Sequence, residues 1–321
     1  MNKEQMQLEI QLRQARKEDI QKRIQDHKSK VDQFRSGIQR RSLRAAVELP
    51  LDFLALGDSW FYYPLNDDDL FVGNEAIPAQ LETMGNPPPR ILNLAQAGQT
   101  STEMMTYENQ RTILDSLTNP STTSWNNGKT ADGILVSAGG DDIVGDQFAI
   151  YLDYHGSGLA EARFNGILAS VEASYLTLFA LRDVAAQELE IDPKAIPIFG
   201  HCYDYAIPNG EGVTLAGLPY SGPWLQEPLN FCGYNYNEGL KIVADAIDGF
   251  YSMLQDLASD KVTLPGKSTN NFHLVNTRGT ITRDQVRPNG WANEIHPFTE
   301  GFIALAKRFL AELQADFPGR I

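Results

Sequence analysis

"LDFLALGDSWFYYP", residues 51–64, climbs through an apolar run to Gly57-Asp58-Ser59 and then breaks into aromatics and a proline. A short run of this kind has the pattern of a strand buried on both faces, and its glycine marks where the strand yields to a turn. The Ser59 hydroxyl is then either a simple turn residue or a nucleophile set out at a strand end. Four more runs share the form: RILNLAQAG (90–98), GILVSAGGDD (133–142), AIPIFGHCYD (195–204) and FHLVNTRG (272–279). Helix-like stretches separate them, around residues 75–84, 101–117, 158–190, 235–259 and 299–316. Apolar strands alternating with helices predict a five-stranded parallel sheet covered on both faces, an α/β/α domain over residues 47–321 with no second globular domain. Ligands of such sheets sit beyond the carboxyl ends of the strands. Those ends here read Gly-Asp-Ser, Ala-Gly-Gln-Thr, Gly-Gly-Asp-Asp, His-Cys-Tyr-Asp and Asn-Thr-Arg-Gly.

Upstream of this domain the composition changes. Residues 1–46 form a basic arm rich in Gln, Lys, Arg, Glu and Leu, most of them helix formers. Ile20, Ile24, Val31, Phe34 and Ile38 recur on steps of four and three with His27 in the gap, while Arg13 and Lys17 interrupt the same register further back. The seam is too broken for a sustained coiled coil. Two uses stand open for it: docking on its own acidic body, or homo-oligomer formation by pairing with a second copy. The apolar face is thin for a membrane surface.

The formal net charge is −14, and because residues 1–44 carry 12 Lys and Arg against 6 Asp and Glu, the rest of the chain holds −20. Such an acidic body argues against a nucleic-acid partner, which needs clustered cations. Two cysteines, Cys202 and Cys232, are too few for a disulfide framework and read as free thiols. The N-terminus lacks an apolar signal-peptide core, as expected of a cytoplasmic chain or of export without a cleaved leader. No stretch approaches the ~18 to 20 apolar residues of a transmembrane span. Asp67, Asp68 and Asp69 fit a solvated loop or a helix start better than a calcium site, which would need further oxygen ligands at set spacing.

A nucleophilic serine needs a base, usually histidine. Of five histidines, His27 lies in the arm, His155 in a Tyr/Gly loop, and His273 at the start of a buried strand. His201 and Asp204 follow the fourth strand, where a structural role competes with a place in the cleft. His296, in WANEIHPFTEGF, is held out of the following helix by Pro297, because proline disfavours helical geometry just before it. The aromatics from Trp60 to Tyr63 suit either a substrate platform or a cap on the core. Residues 205–240, which include Trp224, read as an insertion that shapes a pocket.

Taken in order, four blocks resemble the SGNH (GDSL) hydrolases, esterases and lipases with a serine nucleophile. Gly57-Asp58-Ser59 matches the family's first block, Asn93 to Thr100 its second, Gly139-Gly140-Asp141-Asp142 its third, and Asn293-Glu294-Ile295-His296-Pro297 its last. The resemblance spans about residues 51–310 and implies a flavodoxin-like three-layer sandwich that hydrolyses acyl esters, of lipids or of sugars, without a metal or other cofactor. It implies Ser59 as nucleophile, His296 as base, and the N–H groups of Ser59 and Gly98 as oxyanion donors. Two positions depart from the pattern. Asp141 stands where the family has its oxyanion-hole Asn, and Asn293 stands where it has the Asp of the triad. Trp60, Asp204 and Trp224 are the further candidates for substrate contact. A histidine base implies a rate that rises near neutral pH. The two departures also leave room for a weakly active or non-catalytic binding protein.

Overall fold

The computed structural model describes residues 3–41, 49–63, 75–215, 218–287 and 289–321. Asp67, Asp68 and Asp69 lie outside them. All five expected runs form strands of one parallel sheet: β1 (Asp52–Gly57), β2 (Arg90–Asn93), β3 (Gly133–Ser137), β4 (Ile198–His201) and, after two short strands, β7 (Phe272–Val275). Their spatial order is β2-β1-β3-β4-β7, all neighbours parallel. The chain steps outward from β1 first to one edge and then to the other. The switch between β1 and β3 opens a crevice at their carboxyl ends, where Ser59 and Asp141 follow directly.

Helices cover both faces, completing a three-layer α/β/α sandwich. On one face α2 (Ile77–Leu81) packs against α9 (Thr299–Asp316). On the other, α6 (Glu161–Glu188) packs against α3 (Ser101–Met104), α4 (Tyr107–Thr118) and α8 (Tyr236–Ala258). The single helix expected over 101–117 is thus two. Thr100 caps the first through a reciprocal pair of hydrogen bonds with Glu103, and a break at Met105-Thr106 starts the second. After the turn α5 (Gly140–Ile143), the insertion contributes an antiparallel hairpin, β5 (Val213–Leu215) and β6 (Leu218–Ser221), and helix α7 (Gln226–Phe231).

The expectation that no stretch comes near a membrane span fails for α6, which by length and composition could cross one. Its apolarity has a local cause. Phe164, Val171, Tyr175, Leu178 and Phe179 are buried in the core, and Arg182, 2% exposed, donates to the carbonyls of Ile196 and Asn270.

The arm forms one helix, α1 (Lys3–Arg41), and the expected seam is the face it docks with: Ile20, Ile24, His27 and Val31 are all buried. His27 packs on Trp125, and the Arg90 guanidinium lies over the Phe34 ring. Arg23 donates to the carbonyls of Asn93 and Ala95 at 2.8 and 2.9 Å, just past β2, and covers the Tyr62 ring. Both cysteines are free and buried.

Candidate active site

Glycine at position 57 is a steric necessity. Its φ is +133°, and a Cβ there would lie 1.9 Å from the Ser137 carbonyl oxygen of β3. That close approach lets the Asp58 N–H bond the same oxygen at 3.0 Å. The Asp58 carbonyl then accepts the N–H groups of Phe61 and Tyr62, closing a tight turn that carries Ser59. The Asp58 carboxyl holds this turn from below, accepting from Trp60 N–H at 3.0 Å, Ser137 Oγ–H at 2.7 Å and the Tyr203 hydroxyl. Burial pushes its pKa up to about 6.

The last block folds back over this turn. Asn293 Oδ1 accepts the backbone N–H of Ile295 and His296 and faces His296 Nδ1 at 3.1 Å. An amide oxygen can only accept, so Nδ1 carries the proton and Nε2 presents its lone pair. Nε2 lies 2.7 Å from Ser59 Oγ. The Tyr63 ring stacks on the imidazole at 4.2 Å, and Trp224 meets it edge-on at 5.7 Å. This enclosure lowers the His296 pKa to about 3. If His296 acts as a base, burial moves the rising limb expected near neutral pH towards acid.

A second Ser/His/Asp set lies beneath: Ser137, His201 and Asp58. Its polarity is opposite. His201 Nδ1 accepts from Tyr203 N–H, so Nε2–H donates to Ser137 Oγ at 2.8 Å, and the Ser137 proton goes on to Asp58. The imidazole is a donor to this serine and so cannot take its proton. Ser137 and His201 are also wholly inaccessible to solvent. The set ties the ends of β1, β3 and β4 together.

Gly98 has a left-handed φ of +73° and lies exposed, with open space where a Cβ would point. Neither its N–H nor that of Ser59 donates a hydrogen bond among the described residues. Gly139, φ +111°, turns the chain after β3 with its Cα against Phe250, where a Cβ would come within 2.5 Å of the ring. Asp141 follows, and it lines with Ser59, Trp60, Tyr203 and Ile295 a cavity of about 40 Å³. Gly98 is outside that lining. Burial, then the Asp58 and Asp142 charges, and last that of Glu103, hold the Asp141 carboxyl well above the usual carboxylate range. Asp142 points elsewhere, accepting Ser101 N–H and Oγ–H at 2.7 and 2.9 Å.

The three substrate-contact candidates fare differently. Trp224 is half-buried against the His296 ring. Trp60 lines the cavity but is only 4% exposed; it stacks on His201 and donates Nε1–H to the Ile295 carbonyl, so it is a core residue bracing the histidine loop. Asp204 also lines the cavity, yet its carboxylate is committed to the N–H groups of Tyr205, Gly279, Thr280 and Ile281. Glu294, adjacent to Asn293, points away and accepts four N–H groups, of Gly210, Trp224, Leu225 and Gln226. Sequence reasoning missed Tyr203, which left no local signal: its partner Asp58 is 145 positions away.

Scans against family models and curated proteins return no match. Among solved structures, the chain is similar to an extracellular lipase from Streptomyces rimosus, at 15% identity and a TM-score of 0.47 over 81% of this chain and 99% of that one. It is also similar to a lipase from a goat rumen metagenome, at 13% and 0.47 over 81% and 96%. A carbohydrate acetylesterase from Sinorhizobium meliloti gives 13% and 0.47 over 83% and 100%.

Proposed function

We propose that this chain is a serine acyl hydrolase of the SGNH type, and the observation that carries the reading is the 2.7 Å contact from His296 Nε2 to Ser59 Oγ with Nδ1 held on Asn293. His296 Nε2 takes the Ser59 proton while Oγ bonds to the acyl carbon, and the carbonyl π pair moves onto its oxygen. That oxyanion is met by the free N–H groups of Ser59 and Gly98. The pair then returns, the bond to the leaving group breaks, and the proton on Nε2 passes to the departing oxygen. Water repeats the sequence on the acyl-enzyme, giving up its proton to His296 and releasing the acid and free Ser59.

The size of the cavity beside Ser59 favours a short acyl group. Its volume of about 40 Å³ is only a few times the ~10 to 15 Å³ that one water occupies on this measure. An acetyl group fits that space, which supports short acyl esters, carbohydrate O-acetyl esters among them. Short-chain nitrophenyl esters and acetylated sugars are therefore the substrates to use. Ser59→Ala and His296→Ala should each lower kcat/KM by a factor of ~10³ or more. Hydrolysis surviving both changes overturns the reading. Failure of wild-type Ser59 to react with a fluorophosphonate would instead favour a binding protein that has kept the fold, the alternative that Asp141 and Asn293 raise.

A further inference from the structure

We infer that Asp141 works as a neutral carboxylic acid, donating a hydrogen bond to the developing oxyanion and thereby confining activity to acidic conditions. The inference rests on the acyl-hydrolase reading and adds to it a catalytic donor and a working pH range. Its basis is the company each carboxyl keeps around the cavity. Asp58 accepts three hydrogen bonds, from Trp60, Ser137 and Tyr203, and Asp142 accepts two from Ser101. Glu103 accepts the Thr100 N–H of its capping box. Each of these can carry its charge against donors. The Asp141 carboxyl has no hydrogen bond or ion pair among the described residues, although it lines the cavity beside Ser59.

An ionised Asp141 would face Asp58, Asp142 and Glu103 with no described cation to offset them, and the charge would also repel the oxyanion. Protonated, the same group relieves the repulsion and offers an O–H where the SGNH pattern offers an amide N–H. The proton is shared and not transferred, so the covalent steps are unchanged. Tyr203, Tyr151 and Tyr175, which also face these carboxylates, are all held above the ordinary tyrosine range by burial and the nearby negative charge, and so stay neutral, while Asp204, in the same cavity lining, is raised by burial but accepts four backbone N–H groups. The base is compatible with acid, since the pKa of His296 is lowered to about 3. A neutral imidazole and a neutral carboxylic acid therefore coexist in one site, an acid–base pair pushed apart by environment.

The test is kcat/KM against pH for wild type, Asp141→Asn and Asp141→Ala on a short-chain ester, with fluorophosphonate labelling of Ser59 followed in parallel. Wild type should lose activity and labelling rate as pH rises from acid. Asp141→Asn, whose amide donates at every pH, should abolish that fall and exceed wild type in alkaline solution by ~10-fold or more. Asp141→Ala should lose a factor of ~10² to 10³ in acid. An alkaline fall retained in Asp141→Asn, or an Asp141→Ala rate close to wild type in acid, overturns the inference while a labelled serine leaves the hydrolase reading standing. No labelling of Ser59 at any pH overturns both.

Discussion

Asn293 gathers three donors on one oxygen: the N–H groups of Ile295 and His296, and His296 Nδ1–H. All three would be met at least as well by a carboxylate, and the Tyr63 hydroxyl, now near Nδ2 at 3.4 Å, can rotate to donate instead. What the amide lacks is charge. On the acyl-hydrolase reading, the imidazolium formed as Ser59 attacks has no counter-ion among the described residues, and burial lowers its pKa to about 3. Asn293→Asp should therefore raise the midpoint of the acid limb of kcat/KM by roughly 1 to 3 pH units, the usual effect of an opposite charge at hydrogen-bond distance. The plateau rate should rise with it. An acid limb that does not move would remove His296 from the role of base.

At the level of elements, α1 is held by one apolar face and by cations that reach the body, Arg23 the most enclosed of them, with Lys28 on the Ser121 carbonyl and Lys17 on Glu108 at the surface. Ile20, Ile24 and Val31 bury against the body while Arg23 binds the carbonyls past β2 and the Tyr62 ring, so the arm braces the loop of Gly98 and the turn of Ser59 together. His27 sits in the middle with Nε2 buried and without a hydrogen-bond partner among the described residues, its pKa lowered to about 4 by burial and then by Arg90 and Lys30. Between about 4 and the ordinary value of 6.5 the unfolded chain binds more protons at this site than the folded one, so the folded state weakens as pH falls through that window. His27→Leu removes this term and should gain on wild type towards acid, by on the order of 2 to 3 kcal/mol at the bottom of the window. Denaturant melts at neutral and acid pH read the difference, and a gap that stays constant would place His27 outside the core. The docking seam was legible because a helix declares its buried face through spacing alone. Its receiving surface was not, since Arg90 and Trp125 come from separate parts of the chain. Likewise the five sheet strands declared themselves as apolar runs ended by glycine, whereas the break at Met105-Thr106 lay hidden among good helix formers. The positions of Ser59 and His296 could be read from their blocks, but the commitment of Asp204 to a distant loop could not, because spacing does not record which backbone N–H groups will need an acceptor.

Across the whole molecule, the carboxyl end of the sheet is assembled from segments that meet only in the fold, and Glu294 is the joint between two of them. Wholly buried, it takes the N–H groups of Gly210, Trp224, Leu225 and Gln226, pinning the insertion onto the loop that carries Asn293 and His296. Trp224 in turn closes on the imidazole from the side. The burial that depresses the His296 pKa is therefore supplied in part by the insertion, through one carboxylate. Glu294→Gln preserves the shape but puts an amide NH₂ where one acceptor oxygen was, leaving buried donors unmet at a cost of about 1 to 3 kcal/mol each. The variant should melt several degrees lower, and the amides of Trp224, Leu225 and Gln226 should exchange with solvent faster than those of the sheet. Loosening this wall also lets water reach His296, so the acid limb should move upward in the same variant. A lower melting temperature with an unchanged acid limb would mean that Tyr63 and the core, without the insertion, keep His296 dry.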